Sequence, residues 1–331
     1  MRAILMTAAG GPEVLEYTEI EEPEIARDTQ IKVRLRAAGV NPIDTKLRGR
    51  GVFFDDALPA VLGCDGAGEV VEAGSASGFV LGDRVAFCHG GLGEAQGNYA
   101  EYTVLEGAEA AAIPDNVNFD QAAALPLALI TAWESLYDRA RLEKGQDLLV
   151  IGATGGVGHL AVQLGSRMGA RVLATASSPE KAWFAGEMGA SEIIRHDEAS
   201  IPEATRRLTD GHGADVVFDA VGGPRFNDAI ASAAYRGDLV TLLAPPAEAD
   251  WKAARTRNLR VGFDLMLTPM LQHLPEARAH QVDILHRGLD FLESRDLEVR
   301  VSETLPLQEA AEAHRMIESG HTQGKIVLSM D

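Results

Sequence analysis

The stretch LLVIGATGGVG, residues 148–158, decides how the second half of the chain folds. Its first four residues are apolar and predict a buried strand, and apolar residues recur at helical spacing over residues 160–168. Between them, Ala153, Gly155 and Gly158 stand at the spacing of a G-x-G-x-x-G turn. Gly155 lets the backbone approach a pyrophosphate, and the amino terminus of the next helix favours an anion. The stretch predicts a dinucleotide site, with these residues at the cofactor: Thr154, Gly155, Gly156 and Val157.

Strands and helices alternate around this loop. The segments that read as strands are Leu148–Gly152, Arg171–Ala176, Glu192–Ile194, Asp215–Asp219, Asp238–Leu243 and Leu259–Phe263. Helical patterns fit most of the intervals between them. This alternation predicts an α/β fold with a doubly wound, parallel, six-stranded sheet.

The flanking parts of the chain read differently. Before residue 118, short apolar runs are separated by many glycine turns, as in a mainly β domain. Asp120 is placed to cap a helix that ends near Ala140, with Pro126 as a kink or boundary. The tail holds a long amphipathic helix, a second helix over about 307–319, and a short strand, Lys325–Leu328.

The composition excludes several classes of partner. The chain has 331 residues, enough for about two domains of ordinary size. A net charge of −19 disfavours nucleic acid and anionic membranes. The 2 cysteines, Cys64 and Cys88, are too few for a disulfide framework or a four-cysteine zinc site. No run resembles a signal peptide or reaches the roughly 20 apolar residues that span a bilayer. We therefore expect a cytoplasmic protein that binds a small molecule and contacts neither nucleic acid nor membrane.

The end of the second strand indicates NADPH. An NAD enzyme usually carries Asp or Glu there to bind the ribose 2′-hydroxyl. This chain instead has Ser177, Ser178 and Lys181, with no acid at the tip and with His196 or Arg195 placed to close over the adenine side. These groups suit a 2′-phosphate. Two alternatives stay open: the serines can cap the next helix, and the glutamate before the lysine can pair with it.

Several motifs resemble the medium-chain dehydrogenase/reductase superfamily, most closely its zinc-independent quinone oxidoreductases, the ζ-crystallin group. They occur in family order over nearly the whole chain: AGVNPID at 38–44, LGCDGAGEV at 62–70, GDRV at 82–85, GNYAEY at 97–102, TAW at 131–133, the glycine loop, and GKIVL at 324–328. The resemblance implies a GroES-like, mainly β catalytic domain, formed by residues 1–118 and 264–331. An NADP-binding Rossmann domain, residues 119–263, would be inserted into it.

The resemblance also bears on metal binding. Zinc-dependent relatives hold the catalytic ion through three protein ligands. At the matching positions this chain has Asn41, Cys64 and an apolar residue at 127–128, so we expect no metal. Another candidate cluster is Cys64, Cys88 and His89. Its simpler interpretation is two buried thiols beside a turn histidine.

The substrate class follows from the missing metal. A simple carbonyl is hard to reduce without a Lewis acid, because the developing alkoxide is not stabilised. Quinones and α,β-unsaturated carbonyls are easier, since the charge delocalises to a phenolate or enolate oxygen. We expect an NADPH-dependent enzyme that transfers hydride to a quinone or an enone. The alternatives are a zinc alcohol dehydrogenase with rearranged ligands and a nonenzymatic, crystallin-like NADPH-binding protein.

The resemblance assigns Asn41 and Asp44 to catalysis. Asn41 would donate its amide to the substrate oxygen or to the nicotinamide ribose; alternatively it forms an Asx turn before the proline. Asp44 would orient its neighbours. The following loop, residues 45–54, has no tyrosine, unlike bacterial relatives, which leaves quinone and enone both open. Further residues expected near the nicotinamide are Thr131, Val221, Leu243, Ala244 and Lys325. Alternatively, Thr131 is a helix threonine bonded to its own backbone. The next three equally suit packing at the sheet edge, and the lysine equally suits an exposed strand.

The last predicted strand of the Rossmann sheet, Leu259–Phe263, leaves a sheet edge. A bare edge exposes unpaired backbone groups that invite pairing. Family members cover it with the same strand of a second subunit. We therefore expect a homodimer through this edge.

Overall fold

The computed structural model describes residues 1–54 and 57–330, so the last residue of the predicted catalytic domain lies outside the described residues. The chain divides into two compact units. One comprises residues Met1–Leu127 together with the chain from Leu267 onward, and the other comprises Ala128–Met266. The sequence-based limits were 118 and 264. Residues 119–124 instead fall in the first unit because they form a helix that packs on strands of that unit.

Short strands separated by turns build the amino-terminal part, as the glycine pattern predicts. They are β1 (Arg2–Met6), β2 (Leu15–Glu19), β3 (Gln30–Val40), β4 (Ala60–Val61), β5 (Asp65–Ala73), β6 (Arg84–Cys88), β7 (Tyr102–Glu106) and β8 (Ala110–Ala112). One expectation is wrong: much of the loop 45–54 belongs to helix α1 (Pro42–Arg50). The helix begins here because its proline suits the first position and the Asp44 carboxylate accepts the backbone N–H of Asn41 at 2.8 Å.

The single helix expected up to Ala140 is interrupted. Asn118, rather than Asp120, caps α2 (Phe119–Ala124), because its side chain accepts a first-turn N–H at 2.8 Å. Helix α3 (Pro126–Trp133) starts at the proline that marked a boundary. The chain then continues as a π-helical turn over Glu134–Arg139, which the sequence did not predict.

The second unit contains the predicted sheet. Its strands are β9 (Asp147–Ile151), β10 (Arg171–Ala176), β11 (Glu192–Arg195), β12 (Ala214–Asp219), β13 (Ala233–Thr241) and β14 (Arg260–Phe263). The helices are α4 (Gly158–Met168), α5 (Pro179–Glu187), α6 (Ile201–Leu208), α7 (Arg225–Ser232) and α8 (Trp251–Thr256). Within the described residues the sheet has six parallel strands in the order β11-β10-β9-β12-β13-β14. This confirms the predicted doubly wound fold, in which ligands bind beyond the carboxyl ends where the strand order reverses.

The tail completes the first unit. It contains α9 (Thr268–Leu271), α10 (Pro275–Ser294), β15 (Val301–Pro306), α11 (Ala310–Glu318) and β16 (Lys325–Ser329). Strand β16 joins a mixed sheet in the order β15-β16-β3-β5-β6-β8, which confirms the GroES-like part of the fold prediction. Ile326 lies opposite Val40, and Asp65 lies opposite Gly39. This register brings Asn41 and the first residues of β5 and β16 to the same end of the sheet.

Within the ranges 1–54 and 57–330, no helix combines the length and apolar character needed to cross a bilayer.

Gly158 generates a first prediction, because the start of α4 lies very close to the turn that follows β9. A Cβ there would lie 2.0 Å from the carbonyl oxygen of Gly152, a backbone atom that no side-chain rotation can move. We expect Gly158→Ala to lower the free energy of unfolding by about 1–3 kcal/mol. The matched control is Gly186→Ala in α5, where a Cβ meets none of the described atoms within 4 Å. Because alanine favours a helix over glycine, the control gains up to about 1 kcal/mol.

Chemical denaturation of the two variants and the wild type measures both effects. A Gly158→Ala protein as stable as Gly186→Ala would refute the close packing of α4 on the turn that follows β9.

Candidate active site

The glycine loop of the second unit leaves space beside its backbone. Among the described residues, a Cβ at Gly155 would meet only the carbonyl oxygen of Gly152, at 3.6 Å. Thr175 of β10 fixes the loop, since its hydroxyl accepts the N–H of Gly152 at 3.1 Å and donates to Val150 at 3.3 Å. The loop leads into α4, a helix of 11 residues. A cradle of this kind at a helix amino terminus fits a pyrophosphate. The other predicted residues of the loop, Thr154, Gly156 and Val157, lie in the same turn.

The tip of β10 carries the predicted 2′-phosphate residues. Ser178 caps α5, because its hydroxyl oxygen accepts the N–H of Lys181 at 3.2 Å. The same hydroxyl donates to Glu180 at 3.0 Å, so this glutamate is bonded to the serine. Ser177 is exposed directly after the strand. The N–H of His196 donates to the last carbonyl of β10 at 3.0 Å, which places that residue beside the tip.

Asp219, which the sequence analysis did not single out, organises the loop after β12. Its Oδ1 accepts the N–H groups of Val221 and of the next residue, at 3.0 and 2.9 Å. Val221 lies against the glycine loop, where a Cβ on Gly152 would be 2.8 Å from its Cγ2. Leu243 lies in turn against residue 222. The structure therefore brings Val221 to the glycine loop and Leu243 to the loop after β12. Of the other predicted residues, Ala244 is exposed and Thr131 is buried in α3.

In the first unit, three distant side chains form a buried polar group. Asn41 Nδ2 donates to Asp65 Oδ2 at 2.9 Å, and the Lys325 ammonium donates to Asn41 Oδ1 and, at 3.2 Å, to the carbonyl of Val40. The ammonium also lies 3.6 Å from Asp65 Oδ2. The N–H of Leu127 donates to the other carboxylate oxygen at 2.9 Å. None of the three side chains belongs to a residue more than 2% exposed, so the exposed-strand interpretation of Lys325 is wrong. The group holds the Asn41 amide in one orientation.

Asp44 begins a second chain of hydrogen bonds. The hydroxyl of Tyr99 donates to Asp44 Oδ2 at 2.9 Å, and His314 Nε2 lies 3.3 Å from the Tyr99 oxygen. Arg48 Nη1 lies 3.5 Å from His314 Nδ1. An arginine can only donate, so Nδ1 accepts and Nε2 carries the imidazole proton. Each group then donates to the next, from Arg48 to Asp44.

Burial sets the ionisation of Asp44 and His314, two titratable groups in this series of hydrogen bonds. It raises the pKa of Asp44 to about 7, although the Asn41 N–H and the Tyr99 hydroxyl act in the opposite direction. Burial and the nearby Arg48 guanidinium lower the pKa of His314 to about 3, so the imidazole is neutral. Within the described chain, Asp44 Oδ1 is buried without a hydrogen-bond partner. Asp44 is therefore a buried acid that exchanges its proton near neutral pH.

The alternative metal cluster, Cys64, Cys88 and His89, contains two buried thiols. Both are buried and unpaired by any disulfide, and burial raises the pKa of each thiol well above its ordinary value. His89 is bonded to Glu109 at 2.7 Å. Over residues 1–54 and 57–330, no group of three or more His, Cys, Asp or Glu side chains could hold a metal ion.

Known proteins share both units. Residues 27–115 match the alcohol dehydrogenase GroES-like domain family, and residues 188–328 match the zinc-binding dehydrogenase family. The quinone oxidoreductase of Pseudomonas aeruginosa is 35% identical over 329 residues, which is 99% of each chain. The chain belongs to the quinone oxidoreductase branch of the medium-chain dehydrogenase/reductase superfamily. This confirms the predicted branch.

Solved structures agree with this family. A structure described as an NAD-dependent alcohol dehydrogenase superposes with a TM-score of 0.90 at 33% identity, with 100% of both chains covered. The Escherichia coli quinone oxidoreductase complexed with NADPH has a TM-score of 0.88 at 28% identity, covering 99% of this chain and 100% of that one.

In this member of the quinone oxidoreductase branch, the residues at the zinc-ligand positions do not fit a zinc ion. The oxygen of the Asn41 amide is already bonded to Lys325, and the ammonium would repel a dication. The thiol of Cys64 holds its proton because burial raises its pKa. Zinc needs deprotonated thiolate, imidazole or carboxylate ligands. The donor set offers only Asp65, which is already bonded to Asn41.

Sequence reasoning missed Tyr99, His314 and Asp219. His314 had a signal, because it stands on the face of α11 that Ala310 and Ala313 bury, where a polar side chain needs a partner. Tyr99 lies inside a quoted motif but had no assigned role. Asp219 is an acid at a strand end, a position from which a carboxylate can fix the next loop.

Asp44 generates the second prediction, on the pH dependence of stability. Between its ordinary pKa of 3.8 and about 7, the native carboxyl keeps a proton that the unfolded chain has released. Stability therefore falls as the pH rises through this window, by up to about 4 kcal/mol for a shift of about three pKa units. Asp44→Asn should lose this slope. His314 acts in the opposite direction between pH 3 and 6.5, so the difference between wild type and variant isolates Asp44.

Urea denaturation from pH 4 to 8 measures the difference. Asp283→Asn, which alters an exposed acid of α10, is the control and should follow the wild type. A constant difference between wild type and Asp44→Asn at every pH would show that Asp44 is ionised in the native state.

Proposed function

We propose that the protein is an NADPH-dependent oxidoreductase that reduces quinones or α,β-unsaturated carbonyl compounds without a metal ion. The observation that carries the proposal is the buried group of Asn41, Asp65 and Lys325. It supplies a fixed amide donor at positions where zinc enzymes need ligands. The relatives named quinone oxidoreductase, one of them complexed with NADPH, support the same activity.

The chain's own residues provide a site for the developing negative charge. Bound NADPH would supply the hydride, and the substrate oxygen would gain charge as a phenolate or enolate. Asn41 has two amide hydrogens, of which one is bonded to Asp65, so the second is left for this oxygen. Asp65 and Lys325 keep the amide from rotating, so little reorganisation is needed during the reaction. A well-aligned donor of this kind contributes about 2–4 kcal/mol to transition-state stabilisation.

The cofactor assignment rests on the second unit, which we propose as the NADP-binding domain. The glycine cradle fits the pyrophosphate, and the tip of β10 offers Ser177, Ser178 and Lys181 where an NAD enzyme carries an acid. The residues we propose for the nicotinamide side are Asn41, Thr131, Val221, Leu243, Ala244 and Lys325. The catalytic domain is then the first unit.

The third prediction tests metal-free catalysis. Turnover of a quinone or enone with NADPH should survive exhaustive chelation, because none of the proposed steps uses a metal. Asn41→Ala should lower kcat about 10- to 1000-fold, since the oxyanion loses its donor. NADPH should still bind. Asn116→Ala, which removes an exposed asparagine, is the control and should keep wild-type turnover.

Loss of activity with chelator and recovery with zinc would overturn the metal-free reaction. Full activity of Asn41→Ala would remove Asn41 from catalysis.

The fourth prediction concerns cofactor choice. Wild type should bind NADPH more tightly than NADH, because Lys181 contributes a charge-assisted contact to the 2′-phosphate. Lys181→Ala should weaken NADPH about 10- to 150-fold and leave NADH unchanged, the equivalent of roughly 1.5–3 kcal/mol. Fluorescence titration with both cofactors measures this. Equal affinities in the wild type would contradict the NADPH assignment.

We further propose that the protein is a cytoplasmic homodimer. Two free, buried thiols suit a reducing compartment. Strand β14 is the outer strand of its sheet within the described chain, and Phe263 and Leu265 beside it are 53% and 49% exposed. Pairing β14 with its copy would cover the edge and these side chains. Light scattering at micromolar concentration should give twice the mass of the chain, and a monomer would refute the dimer.

A further inference from the structure

An arginine without an assigned role lies beside the tip of β10. Arg225 is the first residue of α7, and its Nη2 lies 3.3 Å from Nδ1 of His196. Its Nη1 donates to Asp228 at 2.9 Å. His196 follows β11 and is tied to the end of β10 through its backbone N–H. Three segments of the second unit therefore converge here: the β10 tip with Lys181, the end of β11 and the start of α7.

The two arginines near this tip are paired with carboxylates. Arg195 donates to Asp197 at 2.8 and 2.6 Å and lies 2.9 Å from Glu198. Arg225 is partly compensated by Asp228. A phosphate dianion bound here would gain from positive charge beyond that of Lys181 and of these pairs. An imidazole that gains a proton would supply it.

The imidazole of His196 is neutral and can therefore gain a proton. Because the guanidinium of Arg225 can only donate, Nδ1 of His196 accepts and is unprotonated. Burial lowers the pKa of His196, and the charges of Arg225 and Lys181 lower it further, while Asp197 acts in the opposite direction. These are the charged groups that face the imidazole from α7, α5 and its own segment. A phosphate dianion placed among these groups would raise the pKa of His196 and favour the imidazolium.

We propose that Arg225 and His196 recognise the 2′-phosphate of NADPH together, and that His196 takes up a proton when NADPH binds. The inference rests on the proposed use of NADPH. NADH lacks the phosphate and so gives the imidazole no reason to protonate. Discrimination between the two cofactors is then pH-dependent: it is strongest in acid and weakens as the pH rises, by up to about tenfold per pH unit between the free and bound pKa values of His196.

Isothermal titration calorimetry tests this without turnover. NADPH and NADH are titrated at pH 6, 7 and 8, each in two buffers of different ionisation enthalpy, so that the number of protons taken up is measured. The proteins are wild type, His196→Gln, Arg225→Gln and Arg207→Gln, in which an exposed arginine of α6 is the matched control. The phosphate has its own pKa near 6 and can release a proton on binding. That release occurs in wild type and His196→Gln alike, so their difference reports His196.

With NADPH, wild type should take up more protons than His196→Gln, by up to one per site, and its affinity should fall more steeply with pH. Arg225→Gln should weaken NADPH about 10-fold or more, as expected for one charge-assisted phosphate contact, while NADH binding stays unchanged. Arg207→Gln should match the wild type. Unchanged NADH binding also shows that each variant is folded.

Equal proton numbers in wild type and His196→Gln would overturn the proton uptake. NADPH affinity unaffected by Arg225→Gln, or equal losses of NADH and NADPH, would overturn the role of Arg225. A wild type that binds both cofactors equally would overturn the NADPH assignment itself, whereas a preference for NADPH that both variants keep would overturn this inference alone.

Discussion

The buried contact of Lys325 with Asn41 and Asp65 is the constraint on which the first unit depends. Burying an ammonium and a carboxylate is costly unless each has charged or hydrogen-bonding partners. Lys325 and Asn41 are 284 residues apart in the chain, and only the register of β16 on β3 brings them together. A slip of one residue in that register would leave both charges without partners. The polar group therefore selects the pairing that closes the sheet, and the same pairing fixes the amide proposed for catalysis.

The sequence predicts the features that local patterns encode. It does not predict the contacts between residues that are far apart in the chain. The glycine loop and the alternating strands are local patterns, so the parallel, doubly wound sheet follows from them. Helix α1 was missed because Asn41 and the proline after it read as a turn, while its capping by Asp44 is visible only in the structure. The burial of Lys325 and the contact of His314 with Tyr99 each join segments far apart in the chain, and no periodicity signals them.

Each of the two proposed sites contains a titratable side chain whose neutral form is favoured by its surroundings. In the first unit, burial disfavours the carboxylate of Asp44 and raises its pKa to about 7, so the carboxyl keeps its proton below that pH. At the tip of β10, His196 lacks its proton because burial and Arg225 disfavour the imidazolium. Each group is held in its neutral form by its surroundings, so a ligand or a pH change can alter its state at modest cost.

A double-mutant cycle on Asp65 and Lys325 tests the central constraint most directly. The free energy of unfolding is measured for wild type, Asp65→Asn, Lys325→Met and the double variant. Each single change should cost about 3–5 kcal/mol, because it leaves a buried charge without its partner. The double variant should cost less than the sum by at least about 2 kcal/mol. Losses that simply add, within about 0.5 kcal/mol, would contradict the account, since the two side chains would then stabilise the fold independently.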